Sequence, residues 1–237
     1  MSGRAIGTLL GVALSGSAGA RPALPQEDLT RLGQREVLTF ADDGGEGIQK
    51  GKAIGVFDAT PDEIFRVATE YERYPEFAPR VVSSEVLDRQ GEARAWVTLT
   101  SNLPWPVSQA WVHAQFEHDR LGPDSYRIRF WQLRGSMRRY FGSLFIESWT
   151  RWKGGGTSVV TYELLAEPAR FAPKRMINRL IHEAVAKYIH ALRQRINDMR
   201  RAGRIHPQLD PVPTLPSLLA GPAQPPRAGD LAQRVQP

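Results

Sequence analysis

The chain contains no cysteine among its 237 residues. This absence excludes disulfide bonds, thiolate metal sites, a cysteine nucleophile and the lipid-modified cysteine that anchors a bacterial lipoprotein. Histidine is scarce too, and the five histidines show no spacing typical of metal ligands. The sequence therefore has little of the chemistry on which metalloproteins and thiol enzymes depend.

The common catalytic motifs are also missing. Gly51-Lys52 resembles the end of a phosphate-binding loop, but Glu46 stands where glycine is needed and Ala53 where magnesium requires serine or threonine. His182-Glu183 begins like a zinc-protease motif, but Ala186 replaces the second histidine. No serine nucleophile elbow is present. These absences argue against phosphotransferases, zinc proteases and α/β-hydrolases.

Long hydrophobic runs are absent, and the apolar stretch from Ala5 to Leu14 is too short to span a bilayer. It follows the positive Arg4 and precedes Ala18-Gly19-Ala20, which fits the small-x-small cleavage rule. We therefore interpret residues 1–20 as a signal peptide and expect a periplasmic or secreted bacterial protein. The net charge of +6 permits contact with anionic membranes or nucleic acid without demonstrating either.

What is present is a pattern of alternating strands that ends in one long helix. Residues 21–50 are interpreted as a polar segment with a short helix (Gln26 to Gln34), residues 51–204 as the folded domain, and the Pro-rich residues 205–237 as a disordered tail. Hairpin signals separate the predicted strands, which favours an antiparallel meander. These strands begin near Ala53 and continue at 81–87, 93–100, 109–117, 125–133, 137–152 and 158–166.

Apolar residues recur at steps of three and four between Pro173 and Ala202, which predicts one long amphipathic helix. Its other face is basic, with ten lysine or arginine residues between Arg170 and Arg204 against Glu183 and Asp198. Such a face is solvated or contacts anionic lipid. Nucleic acid is not expected there, because no aromatic residues are interleaved with the charges.

The segment from Ala53 to Asp88 is the most informative part of the chain. Thr60-Pro61-Asp62-Glu63 predicts a capped helix start, and Pro75 and Pro79 prevent one continuous helix through the segment. The pattern indicates a strand, two short helices and a second strand. Two helices placed between the first two strands of a sheet are typical of a fold that encloses a cavity.

This segment also carries a resemblance. Thr60-Pro61-Asp62-Glu63-Ile64-Phe65 followed by Tyr71-Glu72-Arg73-Tyr74-Pro75-Glu76-Phe77 resembles the opening of the START-like (SRPBCC) helix-grip superfamily, and the Tyr-Pro-Glu-Phe tetrapeptide is most similar to its coenzyme Q-binding and polyketide cyclase/dehydrase branch. The resemblance covers residues 50–200. It implies an α+β helix-grip fold, in which a curved antiparallel β-sheet wraps around a long C-terminal α-helix and a hydrophobic ligand lies between them.

Aromatic residues are concentrated on the predicted sheet, as the wall of an apolar pocket requires. Strand alternation favours Tyr126, Ile128 and Phe130 as inward-facing, whereas for 140–149 either parity fits. Together with the resemblance, these patterns give the following candidate ligand-binding residues: Tyr74, Phe77, Trp105, Trp111, Tyr126, Ile128, Phe130, Phe145, Ile177, Leu180, Ile181 and Val185.

Leu103-Pro104-Trp105-Pro106 displays a tryptophan in a stiff loop, either as a lid that opens to a membrane or as a cap on the core. It resembles the Pro-x-Pro loop of START domains. In those domains an Arg-Asp pair commonly follows, but Gln109-Ala110 stands in that place here.

The leading hypothesis is a non-enzymatic protein that binds or carries a hydrophobic small molecule, such as an isoprenoid quinone, a lipid or a polyketide-like ring, without a cofactor or metal. One alternative is a polyketide cyclase or aromatase, for which His113, Tyr126 and His182 are the general acid or base candidates. A second alternative is a ribosome-associated START-like protein.

Overall fold

The computed structural model describes residues 24–149, 157–169 and 171–204. The signal peptide and Pro-rich tail predicted from the sequence lie outside these residues. The helices are α1 (Gln26–Gly33), α2 (Pro61–Ala68), α3 (Tyr74–Phe77) and α4 (Lys174–Arg201), and Tyr71–Arg73 forms a 3₁₀ turn before α3. The strands are β1 (Leu38–Asp43), β2 (Gln49–Asp58), β3 (Val81–Gln90), β4 (Arg94–Asn102), β5 (Gln109–Gly122), β6 (Ser125–Gly135), β7 (Met137–Ser148) and β8 (Thr157–Pro168).

The eight strands form one antiparallel sheet in the order β1-β2-β8-β7-β6-β5-β4-β3. β2 pairs with β8, so β2 and β3 lie far apart in the sheet although α2 and α3 are all that separate them in the chain. Long α4 packs mainly on β2 and β8. The predicted α+β helix-grip fold is confirmed.

The sequence pattern predicts a sheet that begins near Ala53, but the structure adds β1 before it. Leu38 pairs with Ile54 and Asp43 with Gln49 in a hairpin that turns at Gly44–Gly47. β1 is an edge strand in which only Leu38 is buried, so its polar residues conceal the strand pattern. The two short helices consequently lie between the second and third strands, and the segment interpreted as polar contributes to the sheet.

The predicted start of α2 is confirmed in detail. The Glu63 backbone N–H donates to Thr60 Oγ1 at 3.2 Å, and the Thr60 backbone N–H donates to Glu63 Oε2 at 2.7 Å, which forms a capping box. Glu63 is buried and also accepts from Arg200 of α4 at 2.6 Å. The same carboxylate therefore caps α2 and fixes it to the C-terminal part of α4.

Two glycines of β2 let α4 approach the sheet closely. A Cβ atom at Gly51 would lie 2.6 Å from Cγ2 of Ile181, and one at Gly55 would lie 2.5 Å from Cγ2 of Ile189. Both distances are too short for real carbon atoms, so only glycine permits this packing. Because α4 rests on β2 and β8, space remains between the helix and the strands on the other side of the sheet.

Candidate ligand cavity

A partly enclosed cavity of about 160 Å³ lies between the N-terminal half of α4 and the inner face of the sheet. A single ring fits such a volume, since an engineered cavity of about 150 Å³ binds benzene. The lining is mostly apolar. It comprises Tyr74, Ala78, Pro79, Arg80, Val81, Leu99, Ser101, Leu103, Val107, Ala110, Val112, Met137, Tyr140, Tyr162, Leu164, Ala166, Pro168, Met176, Ile177, Leu180, Ile181, Ala184 and Tyr188.

Aromatic rings form one wall of this cavity. The ring centroids of Tyr162 and Tyr188 lie 4.5 Å apart, and those of Tyr188 and Tyr74 lie 6.5 Å apart. Behind them, the Phe130 ring lies 5.4 Å from Tyr140 and 6.2 Å from Tyr162. These are the separations at which aromatic rings attract one another. The wall is therefore preformed and does not require a ligand to assemble.

The four tyrosine hydroxyls of the wall differ in their partners. Tyr74 donates to the backbone carbonyl of Ala68 at 2.8 Å, and its oxygen lies 3.5 Å from that of Tyr188. The hydroxyls of Tyr140 and Tyr162 have no hydrogen-bond partner among the described residues. Neither hydroxyl is fully buried in the ligand-free protein, but an apolar guest that excludes water would leave it unpaired at a cost of about 1–3 kcal/mol. The cavity thus contains two hydroxyls that a bound molecule could satisfy.

Burial keeps these phenols protonated. It raises the pKa of Tyr188 to about 12, and it raises the pKa values of Tyr140 and Tyr162 further above the ordinary value. Neighbouring tyrosines also raise the pKa values of Tyr140 and Tyr162, because ionisation of one would disfavour ionisation of the next, whereas the hydrogen bond with Tyr74 opposes the shift at Tyr188. At neutral pH each hydroxyl is a hydrogen-bond donor.

The other end of the same inner face is filled by protein. Phe65 of α2 stacks on Tyr126 at 4.6 Å and meets the His118 ring edge-on at 5.5 Å. Both tyrosine hydroxyls there have partners: Tyr126 donates to Asp62, and the Tyr71 hydroxyl lies 2.6 Å from His118 Nε2. We call this region the filled end and the region of the cavity the open end.

His118 is held as a neutral base at the filled end. Its Nδ1 lies 2.5 Å from the carbonyl oxygen of Glu92, which can only accept, so Nδ1 carries the proton and Nε2 accepts from Tyr71. Burial lowers the pKa of His118 to about 4, although the bond to Glu92 opposes the shift.

Of the candidate ligand-binding residues, Tyr74, Ile177, Leu180 and Ile181 line the cavity. Four others are buried elsewhere in the core: Tyr126 and Ile128 lie toward the filled end, Phe130 lies behind the tyrosine wall, and Val185 faces Gly51 of β2. The inward parity predicted for Tyr126, Ile128 and Phe130 is correct, but these three residues do not line the cavity.

The remaining four candidates do not line the cavity. Phe145 is only half-buried, because Leu144 and Ile146 take the inward positions of β7. Trp111 is exposed for the same reason, since Ala110 and Val112 face the cavity. Phe77 is half-buried beneath the Arg195 guanidinium. Trp105 is 83% exposed and does not cap the core.

Sequence reasoning missed Tyr140, Tyr162 and Tyr188, which form most of the aromatic wall. Tyr140 shares the parity of Leu144 and Ile146, so choosing that parity for β7 would have found it. Tyr188 belongs to the apolar stripe of α4. The general acid or base candidates lie outside the cavity lining: His113 contacts Thr98 at 3.5 Å, and His182 contacts Gln49 at 3.3 Å.

The basic face of α4 is less solvated than its composition indicated. Arg193 donates to the Val56 carbonyl at 2.9 Å, and Arg195, only 14% exposed, pairs with Glu76 at 2.9 Å. With Arg200 on Glu63, these arginines hold α4 against the domain. Within the described residues, no cluster of histidine and carboxylate side chains could hold a metal ion, and no helix there is long and apolar enough to span a membrane.

Known structures share this architecture. The STAR-related lipid transfer protein of Xanthomonas axonopodis superposes with a TM-score of 0.59 at 19% identity, covering 68% of this chain and 93% of that one. Human STARD10 gives a TM-score of 0.59 at 14% identity, with 84% and 94% coverage. The Zhui aromatase/cyclase of a Streptomyces species gives 0.50 at 12% identity, with 71% and 98% coverage. At these identities the likeness shows the fold alone.

No curated protein sequence matches the chain significantly. Residues 57–193, more than half of the chain, match the sequence profile of one family, which is described as "Polyketide cyclase / dehydrase and lipid transport". This match and the shared architecture confirm the predicted START-like resemblance. The chain belongs to the polyketide cyclase/dehydrase and lipid transport family.

Proposed function

We propose that the protein binds a hydrophobic small molecule in the cavity between α4 and the sheet, and carries it without changing it chemically. The observation that supports this most strongly is the preformed apolar cavity with its aromatic wall. Burial of apolar surface supplies about 25 cal/mol per Å², so even a single ring gains useful affinity there. Catalysis would need a general acid or base at the ligand. His113, Tyr126 and His182 do not line the cavity, and burial raises the pKa values of the lining tyrosines, which makes them weaker acids.

The cavity volume limits what fits. A complete diacyl lipid is far larger than about 160 Å³, whereas one ring system fits. A longer guest, such as an isoprenoid quinone, would have to place its ring inside and project its tail past the loops at the rim. Those loops contribute Pro79, Leu103 and Val107 to the lining, and Pro168 lies at the end of β8.

The same rim supports a proposed route for loading from a membrane. Trp105 and Phe171 are the two most exposed large apolar side chains described, at 83% and 89%, and both lie in loops flanked by cavity-lining residues. The exposed Lys174, Arg175 and Arg179 follow Phe171 in the first turns of α4. Each cation near an anionic surface contributes about 1 kcal/mol.

Extraction of the purified protein with organic solvent, followed by mass spectrometry, tests the binding proposal. We expect a stoichiometric apolar compound from the wild type and little from Ala184→Phe, which places a ring in the cavity. Ala202→Phe introduces the same ring at an exposed position beyond α4 and should retain the compound. Equal recovery from wild type and Ala184→Phe would reject this cavity as the binding site.

The place of action proposed from the leader sequence is the periplasm or the outside of the cell. Fractionation of cells that express the full-length chain with a C-terminal tag tests this. Recovery of the tagged protein with ribosomes would instead favour the ribosome-associated alternative.

A further inference from the structure

The hydroxyls of Tyr140 and Tyr162 are polar groups for which the fold provides no partner. Both rings lie within the domain and are surrounded by protein atoms. Each keeps some accessible surface, which is the part that lines the cavity. No other described residue accepts from or donates to either hydroxyl. Neither hydroxyl is among the fully buried polar atoms that lack a partner, so each is open to the cavity and can be solvated when no ligand is bound.

Alternative explanations within the protein are few. The Tyr74 hydroxyl donates to the carbonyl of Ala68, and the Tyr188 hydroxyl lies 3.5 Å from the Tyr74 hydroxyl. Both of these hydroxyls therefore have partners within the protein. Ser101 lies close to the end of β4. Arg80, the one charged residue among the described lining residues, lies 3.8 Å from Glu183. The described lining contains no carboxylate that could accept from the two phenols.

We propose that the Tyr140 and Tyr162 hydroxyls donate hydrogen bonds to an acceptor oxygen of the guest, so that the ligand is a compact ring compound carrying a carbonyl or equivalent oxygen. The inference rests on the proposed function and adds the ligand class. Flat rings stack favourably on the aromatic wall, and a cavity of about 160 Å³ takes one ring system.

A pure hydrocarbon should bind in this cavity more weakly than a ring compound with a carbonyl oxygen. A hydrocarbon would exclude water from the cavity and leave both hydroxyls unpaired, whereas a carbonyl oxygen would satisfy at least one of them. Sites built to hydrogen-bond a polar group discriminate against analogues that lack it. The tyrosine pair would therefore determine specificity, while the apolar lining supplies affinity.

Acetophenone and ethylbenzene form a matched probe pair, because they have nearly the same shape and differ in the carbonyl oxygen. Dissociation constants of both probes are measured by ligand-observed NMR on folded, ligand-free wild type and on the ligand-free double variant Tyr140→Phe/Tyr162→Phe. Comparing the ratio of the two constants between wild type and variant cancels the general difference in hydrophobicity between the probes. We expect the preference for acetophenone over ethylbenzene to fall by about tenfold in the double variant.

Tyr126→Phe is the control, since it removes a tyrosine hydroxyl from the filled end, and its ratio should equal that of the wild type. Thermal unfolding of each variant checks that it is folded. An unchanged ratio in the double variant, with both probes still bound, would overturn this inference and leave the proposed function standing. Failure of both probes to bind folded wild type would overturn both.

Discussion

The filled end and the open end occupy the same inner face of one sheet, and both are rich in tyrosine. At the filled end, Phe65 of α2 enters the space, and the hydroxyls of Tyr71 and Tyr126 bond to His118 and Asp62. At the open end no element of the described chain enters, and Tyr140 and Tyr162 remain unpaired. Aromatic content alone therefore does not identify a binding site. What distinguishes the two ends is whether the tyrosine hydroxyls have a hydrogen-bond partner within the protein.

A matched pair of leucines gives the largest expected contrast. Leu144 of β7 is 3% exposed and packs away from the cavity, whereas Leu164 of β8 is 7% exposed and lines it. We expect Leu144→Ala to lower the free energy of unfolding by about 4 kcal/mol and Leu164→Ala by about 2 kcal/mol, because Leu164 already lacks contacts on one side. Denaturant unfolding measures both, and equal losses would show that the two ends are packed alike.

The pH dependence of stability should originate at the filled end. The folded-state pKa of His118 is about 4, below the ordinary value near 6.5, so the unfolded chain binds more protons between these values. The contribution is therefore fully present above about pH 6.5 and is lost as the pH falls toward about 4.

Between about pH 7 and about pH 5 this loss amounts to about 2 kcal/mol. We expect His118→Gln to flatten the pH profile by that amount. His113→Gln is the comparison variant: burial also lowers the pKa of this half-exposed histidine of the same strand, but less than that of His118, so the variant should flatten the profile less. A wild-type profile that His118→Gln leaves unaltered would refute a neutral, buried His118.

Removing tyrosine hydroxyls should have opposite effects at the two ends. Tyr71→Phe leaves Nε2 of His118 without its donor and should destabilise the protein by about 1–3 kcal/mol. Tyr140→Phe in ligand-free protein removes a hydroxyl that has no partner, so we expect no loss, or a gain of a few tenths of a kcal/mol. A loss for Tyr140→Phe as large as that for Tyr71→Phe would mean that its hydroxyl is satisfied within the protein.

Loading from membranes should depend on the rim of the open end. Co-sedimentation with phosphatidylglycerol-containing vesicles should fall several-fold for Trp105→Ala/Phe171→Ala. Leu87→Ala/Leu121→Ala removes two exposed apolar side chains of β3 and β5 outside these loops, and its binding should match the wild type. An equal reduction in both double variants would indicate nonspecific adhesion.

The sequence was sufficient to predict the fold because its local signals agree with one another. The capping box at Thr60 and Glu63 and the stripe of α4 are encoded by neighbours in the chain, and both are found as predicted. β1 was missed because an edge strand buries little. The family match over residues 57–193 agrees with the fold that these local signals predict.

The cavity was harder to predict because it depends on which inward residues α2 covers. Tyr126 and Tyr140 both face inward in β6 and β7, yet Phe65 covers only the first. That distinction depends on where α2 lies over the sheet. The alternation of residues within a strand does not predict this position. Likewise, the sequence could not show that Arg193 and Arg195 fold inward from the basic face of α4.

Amide hydrogen exchange with and without acetophenone tests most directly the claim that one end of this face is built to hold a guest. We expect protection in the segments that line the cavity, around Tyr140 in β7, Tyr162 in β8 and Met176–Tyr188 in α4, with no change in α2. Protection spread evenly over both ends, or concentrated around Phe65 and His118, would contradict it.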